Sequence, residues 1–188
     1  MEGELAGLAA VVRAGGTCLD VGAEYGLYTY ALADLVGRSG AVHSFEPLPG
    51  AFTVLSAGST ALGCRGTVHR HRVALGARTE LAEMSLPVRR GLPVHGRAFV
   101  TSGADGRGAE PAVLLGADRT LRSDRPAVLL EIEERHLAKY GWNAQGVVDL
   151  MERQGHRMYA WRNACWRPVP RVTDEGRNYL FVTDRDGA

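Results

Sequence analysis

The sequence is poor in several residue types that mark common classes of function. Its 188 residues include three cysteines, Cys18, Cys64 and Cys165, which lie far apart and show no C-x-x-C spacing. This pattern indicates neither a zinc site nor a disulfide framework, and it is typical of reduced thiols in the cytosol. Lysine occurs once, at Lys139, and scattered arginines bring the formal net charge only to +1. Nothing in this charge balance favours nucleic acid as a partner.

Long apolar runs and a basic N-terminus are also missing. Acidic side chains stand at Glu2 and Glu4, where a secretory signal would carry basic ones, and no apolar stretch approaches membrane-spanning length. The sequence therefore predicts a soluble, cytoplasmic protein with no membrane partner. A single domain of this size buries roughly 70% of the surface that the unfolded chain exposes, so the core needs no covalent cross-links.

One stretch, TCLDVGAEYGLYT at 17–29, organises the rest of the chain. It reads as a buried strand, a turn with Gly22 and Gly26, and the start of a helix over 27–36. A strand, a glycine turn and a helix in this order build small-molecule sites, because glycine lets a ligand approach the backbone closely. A dinucleotide fingerprint would need glycine at Glu24 and Leu27. The turn therefore favours a nucleoside without a pyrophosphate over NAD.

A second acidic residue supports a nucleoside site. Residues 41–45 read as the next strand, and Glu46 closes it before Pro47. A carboxylate at the tip of the second strand is placed to accept both hydroxyls of a ribose, as its counterpart does in dinucleotide folds. The alternative is a tight strand-to-helix turn next to a solvated strand end, with no ligand. The combination of the glycine turn with Glu46 favours the nucleoside site.

These motifs resemble a known family. DVGAEYGLYT, followed by HSFEPLP at 43–49, is similar to the S-adenosylmethionine-dependent methyltransferases, and most closely to the FkbM family of O-methyltransferases. The resemblance resumes at 108–137 and continues to the C-terminal strand. It implies S-adenosyl-L-methionine as the cofactor and an acceptor hydroxyl on a sugar or a polyketide-like natural product. The family usually carries asparagine where this chain has Glu24.

The resemblance also implies the residues of the cofactor site. Asp20 would hold the ammonium group of the cofactor or order water there, and Glu46 would take the ribose. Ala74 matches the place where the family's adenine usually rests. The predicted cofactor-binding residues are Asp20, Gly22, Glu24, Gly26, Glu46, Pro47 and Ala74.

The segment SGADGRG, residues 102–108, interrupts the resemblance. Members of the family have a strand here that ends in a lysine, hydrophobe, aspartate, valine, glutamate, glycine run, of which this chain retains residues 108–110. Asp105 aligns without gaps to the family aspartate and is one catalytic candidate, but the glycines beside it are poor strand residues. We favour the alternative, in which the strand is deleted and a loop remains. The sheet then lacks a central strand beside the first one.

Histidines and tryptophans supply further candidates. His136 follows an acidic strand end and is a candidate general base, the alternative being an exposed histidine at a helix start. His69 and His71 share one strand face and could form a metal pair, although a solvated face is the favoured interpretation and no metal site is predicted. Three tryptophans could build an apolar acceptor wall or simply fill core: Trp142, Trp161 and Trp166.

The complete pattern predicts an α/β protein with a Rossmann-like class I methyltransferase fold. Its sheet is expected to be mostly parallel, with an antiparallel C-terminal strand and one central strand missing. The remaining predicted elements are helices over 4–14, 50–61, 110–121 and 145–154, and strands over 67–75, 81–88, 98–101, 127–131, 156–161 and 179–183. One methyltransferase-like domain over 1–188 is divided into an N-terminal helix and lead-in (1–16), a cofactor-binding half (17–80), an antiparallel excursion and loop (81–108) and a C-terminal half (109–188).

Three functions remain open at this point. The first is an S-adenosylmethionine-dependent O-methyltransferase that acts on a small-molecule hydroxyl acceptor. The second is a relic of that family that folds, with a homodimer as one form, and holds the cofactor without catalysis. The third, an NAD-dependent oxidoreductase, is disfavoured by Glu24 and Leu27.

Overall fold

A computed structural model describes residues 3–81, 83–85, 88–89, 92–93, 99–102, 109–173 and 175–183. The chain divides into two compact units. The N-terminal unit comprises Leu8–Leu75 and Ser85–Ala98, and the C-terminal unit comprises Met1–Gly7, Gly76–Met84 and Phe99–Ala188. Each unit is described by itself, and the single domain over 1–188 stays a prediction.

Eleven strands and six α-helices lie in the described part of the chain. The strands are β1 (Thr17–Val21), β2 (Ala41–Phe45), β3 (Val68–His71), β4 (Glu83–Ser85), β5 (Val88–Arg89), β6 (Leu92–Pro93), β7 (Phe99–Ser102), β8 (Val128–Glu131), β9 (His156–Arg162), β10 (Cys165–Pro168) and β11 (Asn178–Thr183). The helices are α1 (Leu27–Val36), α2 (Pro49–Ala61), α3 (Ala109–Gly116), α4 (Asp118–Ser123), α5 (Glu134–Leu137) and α6 (Ala144–Arg153), with 3₁₀ helices at Gly3–Ala10 and Ala138–Tyr140.

The N-terminal unit is built on a parallel sheet in the order β1-β2-β3. Helices α1 and α2 provide the crossovers that parallel strands require. Val42, Leu55 and Val68 are fully or almost fully buried between the helices and one face of the sheet. On the other face, Leu19 and Val21 of the end strand β1 remain 58% and 45% exposed. One sheet face therefore carries the core of this unit.

The C-terminal unit contains an antiparallel sheet in the order β10-β9-β11-β8. Helix α6 begins at Asn143, whose side chain accepts a hydrogen bond from the backbone N–H of Gly146, a standard N-terminal cap. The helix buries an apolar stripe that belongs to the same core as Tyr179 and Phe181 of β11. β1–β3 thus form a parallel sheet and β8–β11 an antiparallel one, and the predicted closing pair of β9 and β11 is confirmed.

Four predicted elements differ from the structure. The predicted helix over 4–14 is a 3₁₀ helix over Gly3–Ala10. The strand predicted over 67–75 ends at His71, because its partner β2 ends opposite it. The helix predicted over 110–121 is divided at Gly116, where an added Cβ would lie 2.4 Å from a backbone oxygen of Gly76.

The fourth difference concerns the region between β9 and β11. No strand was predicted between residues 161 and 179, and the structure has the additional strand β10 there. Asn163 and Ala164 both adopt a positive φ, at 52° and 58°, and form a two-residue hairpin between β9 and β10.

The antiparallel excursion over 81–102 is present in part. β5 pairs antiparallel with β6, and β4 pairs with β7. The turn predicted around Gly91 lies outside the described residues. None of the described helices combines the length and apolar character needed to cross a bilayer.

Candidate functional site

The turn between β1 and α1 folds over the carboxyl end of β2. The backbone N–H groups of Gly22 and Ala23 donate to the carbonyl oxygen of Phe45 at 2.9 and 3.1 Å. Gly22, Glu24 and Gly26 adopt φ values of 78°, 48° and 94°, which is the left-handed region. Glutamate is rare in that conformation, so Glu24 holds a strained backbone at the centre of the turn.

The two glycines of the turn have different surroundings. A Cβ at Gly26 would lie 2.5 Å from the ring of Tyr30 and 2.8 Å from Leu55, so this glycine is needed for packing of the α1 start. A Cβ at Gly22 would meet nothing within 4 Å. The open space at Gly22 is where a ligand can approach the backbone.

Glu46 directly follows β2, at the carboxyl end of the strand. The residue is only 4% exposed, and its carboxylate accepts hydrogen bonds from the backbone N–H groups of Glu24 (2.9 Å) and Leu48 (2.7 Å). These bonds fix the carboxylate against the turn. An ionised carboxylate has about four acceptor positions, so each oxygen keeps one for a ligand hydroxyl.

Asp20 belongs to a buried network beneath the turn. The hydroxyl of Thr29 in α1 donates to the Asp20 carboxylate and lies 2.8 Å from the hydroxyl of Ser44 in β2. Burial raises the pKa of Asp20, the Thr29 hydrogen bonds oppose this shift, and the negative charge of Glu46 adds to it. Thr29 and Ser44 were not predicted as site residues, since their roles depend on the register of β1 and β2.

The charge at this edge of the sheet is negative. Asp20, Glu24 and Glu46 surround the turn, and between Arg13 and Arg65 the sequence has one arginine and no lysine. That arginine, Arg38, precedes β2 and therefore lies toward the opposite end of the strand from Glu46. A cationic group is stabilised next to these three carboxylates.

Two other predicted cofactor residues follow strand ends in the same unit. Pro47 is half-buried directly after Glu46, and Ala74 is exposed beyond the end of β3. The predicted cofactor residues thus all belong to the N-terminal unit.

The two catalytic candidates have different outcomes. Asp105 lies outside the described residues. His136 lies in α5 of the C-terminal unit, where its Nε2 is 3.6 Å from a carboxylate oxygen of Glu133. The Glu133 side chain also pairs with Arg135 at 2.5 Å and with Arg177 at 2.9 Å. Hydrogen bonding from Arg135 is the main cause that lowers the pKa of Glu133.

A histidine cluster lies on the sheet face opposite the helices of the N-terminal unit. His43 Nδ1 is 3.2 Å from His71 Nε2, and the ring of His43 stacks on that of His69 at 4.8 Å between centroids. Burial lowers the pKa of His43, and the neighbouring imidazoles lower it further. His43 was missed because β2 and β3 had not been aligned. Within the described ranges, no three His, Cys, Asp or Glu side chains are arranged to hold a metal ion.

A cavity of about 380 Å³ lies in the C-terminal unit, where β9 ends and β11 begins. We call it the β9–β11 cavity. Its wall includes Trp161, Arg162, Asn163, Thr173, Arg177 and Asn178. Of the three predicted tryptophans, Trp161 lines this cavity and stacks edge-on with Trp166 at 5.1 Å, while Trp142 packs against the core. The cavity was not predicted from the sequence, and core filling, the other interpretation of the tryptophans, describes Trp142.

Several solved methyltransferases are similar to this chain. A SAM-dependent O-methyltransferase from Thermotoga maritima has a TM-score of 0.52 and 15% identity, over 95% of this chain and 62% of that protein. A precorrin-6y C5,15-methyltransferase from Geobacter metallireducens has a TM-score of 0.54 and 12% identity, over 96% and 85%. The methyltransferase FkbM from Methylobacillus flagellatus has a TM-score of 0.52 and 13% identity, over 92% and 44%.

These similarities establish the fold, which is the Rossmann-like class I methyltransferase fold, and they confirm the predicted fold class. The chain spans under two thirds of the Thermotoga protein and under half of the FkbM protein. No protein-family model and no curated protein sequence matches the chain.

Proposed function

We propose that the protein is an S-adenosylmethionine-dependent methyltransferase that transfers a methyl group to a hydroxyl oxygen of a small-molecule acceptor. The observation that carries this proposal is the fixed Glu46 carboxylate at the tip of β2, held against a turn whose Gly22 faces open space. A ribose acceptor and a close backbone approach occur together there, as a nucleoside site requires.

The residues of this edge fit the cofactor. Glu46 would bind the ribose hydroxyls, and Gly22 would admit the methionine portion, whose ammonium is stabilised by the negative charge of Asp20 and Glu24. Ala74 would contact the adenine. When bound, S-adenosylmethionine would supply an electrophilic methyl carbon: an O–C bond to the acceptor would form as the C–S bond breaks, with its electron pair left on sulfur and the hydroxyl proton passed to a base.

His136 is the proposed acceptor of that hydroxyl proton. A positioned base contributes typically about 10² to 10⁴ in rate to such reactions. Glu133 restrains the imidazole from one side, since it is itself fixed by Arg135 and Arg177. The hydroxyl acceptor and the assignment to the FkbM family both rest on the sequence motifs around Gly22 and Glu46.

A relic that binds the cofactor without catalysis is the second candidate. In a doubly wound sheet the first strand is central, whereas β1 is an end strand of its described sheet. This observation supports the loss of the family's neighbouring strand, and with it a weakened site. An NAD-dependent oxidoreductase is disfavoured because Glu24 and Leu27 stand where a dinucleotide fingerprint requires glycine.

The proposal also includes a cytoplasmic location. Its support is chemical, since Cys18, Cys64 and Cys165 are free thiols, which persist in reducing compartments.

Calorimetry on the full chain with S-adenosylhomocysteine, S-adenosylmethionine and NAD tests the proposal. Binding of both adenosine sulfur compounds without binding of NAD is the expected result, and binding of NAD alone would overturn it. A transfer assay with labelled S-adenosylmethionine and a panel of hydroxylated acceptors then separates the enzyme from the relic. Label in a product supports the enzyme, and binding without turnover on any acceptor supports the relic.

A further inference from the structure

We propose that the β9–β11 cavity, within the C-terminal unit, is a binding site for an uncharged, hydroxylated molecule of the sugar class. The inference goes beyond the proposed methyltransferase function and concerns the C-terminal unit alone. It is carried by the position, the size and the charge pairing of the cavity wall.

The cavity lies at a strand edge that suits ligand binding. β8 and β9 both pair antiparallel with β11, so they run in the same direction. Asn178, which opens β11, pairs with the last residue of β8, and Arg162 ends β9, so both strands finish at the cavity. Binding residues are often found on the loops at such strand ends, which a rigid sheet holds in position. A volume of about 380 Å³ also falls within the range of small-molecule pockets.

The charged side chains of the wall already have partners. Arg162 pairs with Glu175 at 2.8 Å, and Arg177 pairs with Glu133 at 2.9 Å. Glu4, which lines the cavity together with Arg162, Glu175 and Arg177, accepts a hydrogen bond from the Asn178 amide. The carboxylates compensate the positive charge of the two arginines, which weakens the attraction of the wall for an anionic ligand such as a phosphate. The pairing therefore favours a ligand without charge.

The rest of the wall matches a sugar. Asn163 and Thr173 present an amide and a hydroxyl, which donate and accept hydrogen bonds with sugar hydroxyls. The half-buried ring of Trp161 offers an apolar surface beside them. A few polar groups around an aromatic face are the usual composition of a specific small-molecule site.

The cavity is linked to the proposed base. Glu133 contacts His136 and also Arg177, which lines the cavity. Glu133 thereby holds the guanidinium of Arg177 at the cavity wall, while His136 is not itself among the lining residues.

The β9–β10 hairpin provides a matched pair of variants. Asn163 lines the cavity and Ala164 does not, yet both have a positive φ that glycine adopts without strain. Asn163→Gly therefore removes the amide while the turn is kept, and Ala164→Gly makes the same backbone change without touching the wall. Thr173→Val is a second test, because it removes the hydroxyl and keeps the shape of the side chain.

The experiment measures sugar binding to the full chain without cofactor, by saturation-transfer NMR and calorimetry. The probes are methyl glycosides of glucose, galactose, mannose and rhamnose, with glucose 6-phosphate as the anionic comparison. We expect at least one neutral glycoside to bind, about fivefold more weakly in Asn163→Gly and in Thr173→Val, and unchanged in Ala164→Gly. Binding of the phosphate alone, binding of no glycoside, or equal binding by all variants would overturn the proposal.

S-adenosylhomocysteine is titrated separately into the same samples. Loss of its binding with sugar binding retained would count against the proposed function and not against the cavity. Intact binding of S-adenosylhomocysteine, with sugar affinity that does not depend on Asn163 or Thr173, would count against the cavity alone.

Discussion

Replacement of Gly22 by alanine tests whether the open space in the turn belongs to the cofactor. Gly22 has a φ of 78°, and a Cβ added there would meet no atom within 4 Å. The substitution should therefore cost only the strain of a left-handed alanine, about 1–2 kcal/mol of unfolding free energy. The new methyl group would occupy the space at the backbone that the cofactor needs. We expect the affinity for S-adenosylhomocysteine to fall at least about tenfold, or about 1.4 kcal/mol.

Two other glycines separate backbone strain from ligand exclusion. Gly63 has a φ of 68°, also faces open space and lies between α2 and β3, so Gly63→Ala reports the strain alone. Gly26→Ala should cost a further 1–3 kcal/mol or so of stability, because its Cβ would overlap Tyr30 and Leu55. Unfolding in urea measures the stabilities, and calorimetry measures the affinities. If Gly22→Ala binds S-adenosylhomocysteine as well as Gly63→Ala does, the turn is not the cofactor site.

Three further substitutions test individual contacts. Glu24→Asn should raise the free energy of unfolding by a few tenths of a kcal/mol, up to about 1, because asparagine tolerates the left-handed region better; unfolding in urea at pH 7 measures this, and a loss of stability would contradict the assigned strain. Asp20→Asn should be tolerated or stabilising at neutral pH. The raised pKa of Asp20 means that the folded state binds the proton more tightly than the unfolded state, so ionised Asp20 reduces stability above its unfolded pKa of 3.8. A marked destabilisation of this variant at pH 7 would refute this account. The pKa of His43 is lowered in the folded state, so the unfolded state takes up the proton first, near the ordinary value of 6.5. Stability should therefore fall as the pH drops through that value. His43→Gln should flatten this pH dependence of the urea midpoint, measured between about pH 5 and 8. A pH profile that His43→Gln leaves unchanged would assign the dependence to other groups.

The amino-acid sequence by itself determined the local order of the cofactor half. The apolar run of β1, the glycine turn and the helical spacing of α1 follow each other along the chain, so no distant contact is needed to predict them. The position of Glu46 could also be predicted, because parallel strands joined by helices bring their carboxyl ends to one edge. For the same reason, the sheet edge, the acidic side chains at it and the proposed nucleoside class of ligand could be predicted before the structure was known.

Tertiary structure decided what each residue of that edge does. Gly22 and Gly26 look alike in the sequence. Only the packing of Tyr30 and Leu55 against Gly26 distinguishes it from Gly22, which faces open space. Asp20 was predicted to contact the cofactor, whereas its described hydrogen bond goes to Thr29, a partner set by how α1 lies on the sheet. The register of β2 against β3 likewise gathers His43 with two histidines from another strand.

The β9–β11 cavity depends wholly on long-range contacts. Its wall combines the end of β9, the start of β11 and Glu4 from the N-terminus, residues far apart in the chain. Periodicity describes which face of one strand is apolar, but it carries no information on which strands become neighbours. Strand pairing and ion pairing are set by the folded chain as a whole, so the cavity could be recognised only in the tertiary structure.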